Sequence, residues 1–145
     1  MTAGPGQLLF TFVRHWSRRA ATGDATVAEQ GRLVLVTEAV HALAARAEPA
    51  TVNAVARELG IDQSGASRLI RSAVEARYLT TARGRGDGRR REVSVTDTGA
   101  AALRHAHAWQ EEVFAELTAG WSGRRREDFR SAMADLLSRS DRLGT

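Results

Sequence analysis

The chain contains no cysteine and no lysine. The first absence excludes disulfides, zinc ribbons, thiolate catalysis and cysteine-based redox sensing. The second puts all 21 basic side chains on arginine. Together with the many alanines, that bias fits genomic composition as well as selection for guanidinium chemistry, so the position of an arginine says more than the count. No apolar run reaches the 18 residues or so that a membrane span needs, and the N-terminus lacks a basic segment followed by a long apolar stretch. These absences predict a cytoplasmic protein with no membrane partner. The four histidines are scattered, and His105 and His107 would point in nearly opposite directions on a helix. With no convergent nucleophile, base and orienting group, the sequence predicts neither an enzyme, nor a metal site, nor a cofactor.

The 145 residues suffice for one domain with a real core, or for one compact domain plus elements that need a partner to cover them. The net charge is +4, and the arginines are unevenly placed. Five lie between Arg83 and Arg91 (Arg83, Arg85, Arg89, Arg90, Arg91), in a segment with almost no apolar residues, and Arg124, Arg125 and Arg126 are adjacent. A polyanion is the natural partner of the first cluster, and an ordinary solvated loop is its plainer reading. The second cluster, next to Trp121, falls at a helix start where cations oppose the helix dipole, and it reads as a solvated face.

Leu8, Leu9, Phe12, Val13 and Trp16 recur at helical spacing between Gly6 and Ala20, with Pro5 suited to the helix start. A loop follows over 21–25. Thr26-Val-Ala-Glu29 matches a capping box for a second helix, with Leu33, Val36, Val40, Leu43 and Ala47 facing one way. That helix is predicted to stop near Glu48, before Pro49. Thr51 caps a short helix carrying Val52, Val55, Ala56 and Leu59, and Gly60 closes it. Ile61-Asp62 opens the next helix, where Ala66, Leu69, Ile70, Ala73 and Val74 share one face while Ser64, Ser67, Arg68 and Arg71 share another roughly 200° around the axis. Residues 79–83 and 91–95 read as strands, joined by a segment holding Gly84, Gly86 and Gly88, with Tyr78 expected to be buried at the preceding turn. Thr96 caps a long helix over 97–118 with Leu103, His107, Gln110, Val113, Phe114 and Leu117 along its apolar side. Gly120 ends it, and a last helix runs from about Gly123 to Ser140.

A helix pair followed by an arginine- and glycine-rich hairpin is the layout of a winged helix-turn-helix, so the expected fold is mainly α with a small β-hairpin wing. The first, fifth and sixth helices carry more apolar surface than one small winged unit covers, which predicts a two-fold homodimer. One subunit spans 1–145, with scaffold helices over 5–48, a winged region over 49–96 and C-terminal dimerisation helices over 97–145.

The pair Thr51-Val-Asn-Ala-Val-Ala-Arg-Glu-Leu-Gly60 and Asp62 to Ala76, then Asp87-Gly-Arg89, then Val95-Thr-Asp-Thr-Gly99, resembles the MarR family of bacterial transcriptional regulators over most of the chain. Two positions depart from the pattern: Arg77 stands where the family usually has glycine, and Gly88 where it often has arginine. The resemblance implies a homodimeric repressor that reads a pseudo-palindromic double-stranded operator and is released by a small ligand. Arg89 would insert into a minor groove, where the potential is most negative, with Asp87 orienting it. Arg85, Arg90 and Arg91 would meet phosphates. Gln63, Ser64, Ser67, Arg68 and Arg71 would face the major groove. The family's ligands, often aromatic or anionic, imply a pocket drawing on His15, Trp16, His41, His105 and Trp109. The alternative is a winged module that docks a protein or binds nucleic acid without sequence specificity. Against the single-stranded form of that reading, the predicted recognition face holds no exposed aromatic for base stacking.

Overall fold

In the computed structural model, residues 2–21, 25–83 and 91–143 are described. They form α1 (Pro5–Ala21), α2 (Ala25–Ala45), α3 (Val52–Leu59), α4 (Gln63–Glu75), β1 (Leu79–Arg83), β2 (Arg91–Val95), α5 (Asp97–Leu117) and α6 (Gly123–Leu143). The contacts divide the chain into two compact units, 1–106 and 107–145, with the boundary inside α5. No helix among the described residues is long and apolar enough to cross a membrane.

The first unit is organised around α2, which packs on α3, α4 and β2. Val36, Val40 and Leu43 of α2, Val55 of α3 and Leu79 of β1 are almost wholly excluded from solvent. Burying each such side chain contributes on the order of 1.5–3 kcal/mol. Ala66, Ile70 and Ala73 supply the inner face of α4, with Leu69 and Val74 partly buried beside them. Thr37 is buried among the apolar groups of α2, and its hydroxyl donates to the Leu33 carbonyl at 2.6 Å, which satisfies the one polar atom of its side chain.

Two details of α2 differ from the sequence reading. Thr26 lies inside the helix, which already includes Ala25, so Thr26-Val-Ala-Glu29 is not the capping box it resembles. The helix ends at Ala45 rather than near Glu48, because Ala47 takes a left-handed φ of 57°. The Ala47 N–H then donates to the Ala44 carbonyl at 3.0 Å and the Glu48 N–H to Leu43 at 2.9 Å, the paired bonds of a Schellman terminus built without glycine. Arg46 in that terminus donates to Glu58 of α3 at 2.6 and 3.3 Å and to Glu48 at 3.1 Å. Those carboxylates hold its guanidinium firmly protonated.

β1 and β2 pair antiparallel with Leu79 opposite Val95, Thr81 opposite Val93 and Arg83 opposite Arg91. Val93 is buried and its N–H donates to the Ala50 carbonyl, which ties the hairpin to the start of α3. The second unit, the C-terminal half of α5 with α6, turns at Gly120, whose φ is +84°. There Phe114 and Phe129 stack with centroids 5.7 Å apart, and Trp121 meets Phe129 edge-on at 6.0 Å.

Candidate nucleic-acid interface

The helix pair is fixed by its own caps. Thr51 is extended and its hydroxyl accepts the Ala54 N–H at 3.2 Å. Gly60, at φ +67°, closes α3 in the left-handed conformation that glycine adopts without steric cost. Asp62 caps α4 by accepting the Gly65 N–H at 2.7 Å and the Ser64 hydroxyl at 3.3 Å. A Cβ on residue 65 would press against that Asp62 carboxylate, which would have to shift to admit it.

With α4 so anchored, Ala66, Ile70 and Ala73 face the core, and Ser64, Arg68 and Arg71 are exposed on the opposite side. Gln63 is also exposed, and Ser67 is half-buried on the flank. These are the five residues the sequence assigned to a groove-reading face, and all lie on one helix at the surface.

The root of the hairpin is a second rigid element. Arg77 leaves α4 with φ +67°, the left-handed turn that the departure from glycine put at issue. The Tyr78 N–H donates to Ala73, while the Tyr78 carbonyl accepts the Thr96 N–H at 3.0 Å. The Thr96 hydroxyl donates to the Arg77 carbonyl, with that of Tyr78 3.1 Å away, and accepts the Gly99 N–H at 3.0 Å. A Cβ on Gly99 would collide with the Tyr78 carbonyl oxygen. The Thr-x-x-Gly sequence is therefore a clamp that holds the start of α5 against the turn after α4. Tyr78 is half-buried rather than buried, and its hydroxyl accepts a hydrogen bond from the Gln30 amide at 2.7 Å.

From this root the strands carry Arg83 and Arg91 directly opposite each other, both exposed. Like charges at facing positions repel, and an anion between them would remove that repulsion. Arg91 was assigned to phosphate contact from sequence, and Arg83 was not. The missing signal is the register, which sets the two side chains on the same face. Arg85, Asp87, Arg89 and Arg90, the rest of the expected hairpin site, lie outside the described residues.

The expected ligand residues are distributed. His15 and Trp16 meet edge to face on α1, with centroids 6.1 Å apart. His41 is exposed on α2, His105 is exposed on α5 in the first unit, and Trp109 is 57% exposed in the second. None of the five lines the open pocket of about 480 Å³ formed by Arg32 of α2 with Ile61, Asp62, Gly65, Arg68, Leu69 and Ser72. That pocket runs along the flank of α4, and Arg68 belongs both to it and to the outward face.

The arginine run after Trp121 has a structural use that its sequence does not disclose. Arg126 donates to the hydroxyl and carbonyl of Thr118 at 3.1 and 3.0 Å, closing the C-terminus of α5. Arg125 lies 3.9 Å over the Trp121 ring, a cation–π contact. The run is thus a corner joint between two helices rather than only a solvated face.

Residues 35–90 match the sequence model of the MarR family, a span that takes in about half of α2, the helix pair and β1 but stops short of β2. No curated protein matches the chain in sequence. Solved structures share its fold at low identity. Wild-type MarR from E. coli in its apo form has 18% identity and a TM-score of 0.66, covering 94% of this chain and 98% of that one. A mutant of S. aureus MepR bound to an oligodeoxyribonucleotide has 17% identity and a TM-score of 0.55, with coverages of 94% and 98%. Bordetella bronchiseptica BpsR, whose DNA binding is regulated by 6-hydroxynicotinic acid, has 18% identity and a TM-score of 0.56, with coverages of 90% and 98%. Over the helix pair and the first strand of the hairpin the chain is thus similar to the MarR family, and its fold is that of solved MarR-type winged helix-turn-helix structures.

Proposed function

We propose that this chain is a homodimeric, sequence-specific reader of double-stranded DNA that acts in the cytoplasm as a repressor and is released by a small anionic effector. The observation that carries the reading is the outward face of α4. It offers Gln63, Ser64, Arg68 and Arg71 to a major groove, on a helix whose opposite side is locked into the core. Arginine donates in a fork to guanine and glutamine pairs with adenine, so these side chains are of the types that discriminate bases. Arg83 and Arg91 fit phosphates, with Arg85 and Arg90 beside them in sequence, and Arg89 with Asp87 serves the minor groove.

Dimerisation is supported by apolar side chains left in water. On α1, Leu8, Leu9, Phe10, Phe12 and Val13 are exposed, Phe10 to 71%. In the second unit Trp109, Leu117, Leu136 and Leu137 are exposed as well. Surfaces of that kind mark interfaces, and a two-fold dimer matches a pseudo-palindromic site. The division of labour is then 5–48 for scaffold and dimerisation, 49–96 for DNA and 97–145 for dimerisation.

The flank pocket suits the effector. Arg32 and Arg68 supply positive charge while Ile61 and Leu69 supply apolar wall, which fits an aromatic carboxylate. The regulation of the fold neighbour BpsR by 6-hydroxynicotinic acid is of the same chemistry. A ligand holding Arg68 there competes with its use on DNA.

The test is titration of a labelled duplex, selected from a random library, with wild type, Arg71→Ala and Arg89→Ala at two salt concentrations. Arg71→Ala is expected to relax discrimination at one base position by about 1–3 kcal/mol. Arg89→Ala is expected to weaken binding strongly with the fold intact. Wild-type affinity and specificity in both variants would overturn the reading.

A further inference from the structure

Tyr78 is tied to three parts of the fold at once. Its N–H donates to Ala73 at 2.9 Å, at the end of α4. Its carbonyl takes the Thr96 N–H at 3.0 Å, where the hairpin returns to α5. Its phenol accepts the Gln30 amide at 2.7 Å, from the N-terminal part of α2, 48 residues away in sequence. The residue that follows it is Leu79, the first of β1, paired with Val95, the last of β2.

The Val93 N–H bond to Ala50 and the burial of Leu79 and Val93 hold the inner face of the hairpin, while the rest of the two-stranded ribbon has little packing of its own. All of β1 beyond Leu79 is exposed, and of β2 only Val93 is buried. The Gln30–Tyr78 side-chain bond adds a tie from the root of the hairpin to α2. Gln30 and Tyr78 are both poorly placed to touch DNA themselves, because one belongs to the scaffold helix and the other sits at the hairpin's root, half-buried. We propose that Gln30 and Tyr78 are a positioning pair for DNA binding: their hydrogen bond sets the angle of the hairpin relative to α4, so that the tip and the helix reach their two grooves together. The inference rests on the DNA-reading function proposed above.

The test uses the full-length protein and the duplex selected from a random library. Affinity and its salt dependence are measured for wild type, Tyr78→Phe, Gln30→Ala, the double variant and Arg89→Ala, with Tyr78→Phe also placed in the Arg89→Ala background. Tyr78→Phe and Gln30→Ala are each expected to weaken binding about threefold to tenfold, the range one hydrogen bond commands. The double variant should be no weaker than either single one. The salt slope should fall as hairpin contacts are lost, with the preferred bases under α4 unchanged. In the Arg89→Ala background Tyr78→Phe should cost less than it does in wild type, because one of the contacts it serves is already gone. A general structural defect would instead cost the same in both backgrounds and blur the base preference, and either result overturns the inference. Unchanged affinity in Tyr78→Phe, beside a strong loss in Arg89→Ala, would also overturn it while leaving the DNA-reading function standing. If Arg89→Ala and Arg71→Ala both bind like wild type, that function itself fails.

Discussion

Arg77 stands at φ +67°, where a side chain crowds the following carbonyl and glycine does not. Arg77→Gly should therefore raise stability by roughly 1 kcal/mol, less the extra freedom glycine has when unfolded. The urea midpoint reads this directly, and a fall in the midpoint would mean that the arginine side chain contributes more than its backbone strain costs. Gly99 is the converse case. There is no room for a Cβ against the Tyr78 carbonyl, so Gly99→Ala must push α5 away from the turn and should cost about 3 kcal/mol, at the upper end of overpacking effects. Equilibrium unfolding checks it. A cost near zero would show that the Thr96 clamp yields easily. Thr96 and Gly99 were visible in the sequence as a motif, but its meaning as a clamp was not, because the carbonyl that forbids a side chain comes from residue 78 and is brought there by the hairpin.

The elements were legible where the chain punctuates itself. Thr51, Gly60 and Asp62 mark the ends of α3 and the start of α4, and both strands fall on the residues expected from their alternation and flanking glycines. The end of α2 was not legible, since alanine in a left-handed terminus carries no sequence signal and only the bonds from Ala47 and Glu48 back to Ala44 and Leu43 reveal it. The α5–α6 corner escaped for a related reason. Arginine at a helix start looks unfavourable until the neighbouring helix end is present to receive it, and then Arg126 satisfies two acceptors on Thr118. Arg126→Ala should destabilise this corner by about 1–2 kcal/mol, the worth of a charge-assisted cap. Hydrogen exchange would show it as faster opening of amides near residues 118–122, with the helix pair of the first unit unaffected.

For the whole molecule, the proposed function joins two demands: a surface that reads DNA and a partner that covers α1 and the C-terminal helices. Phe10→Glu places a charge on the most exposed aromatic of α1 and should convert a dimer to a monomer at micromolar concentration, measured by light scattering after gel filtration. Because two half-sites bind together, that monomer should also lose most of its affinity for an inverted repeat. The residues grouped for a ligand by aromatic and imidazole character lie on α1, α2 and α5, and none of them lines the open pocket built from Arg32 and the flank of α4. Pockets form from residues distant in sequence, and composition gives no register between helices.

Selection of bound duplexes from a random DNA library by the wild-type protein tests the central claim most directly. The account predicts an enriched inverted repeat with half-sites about one helical turn apart, bound with a steep dependence on salt. A folded dimer that enriches no sequence would contradict it.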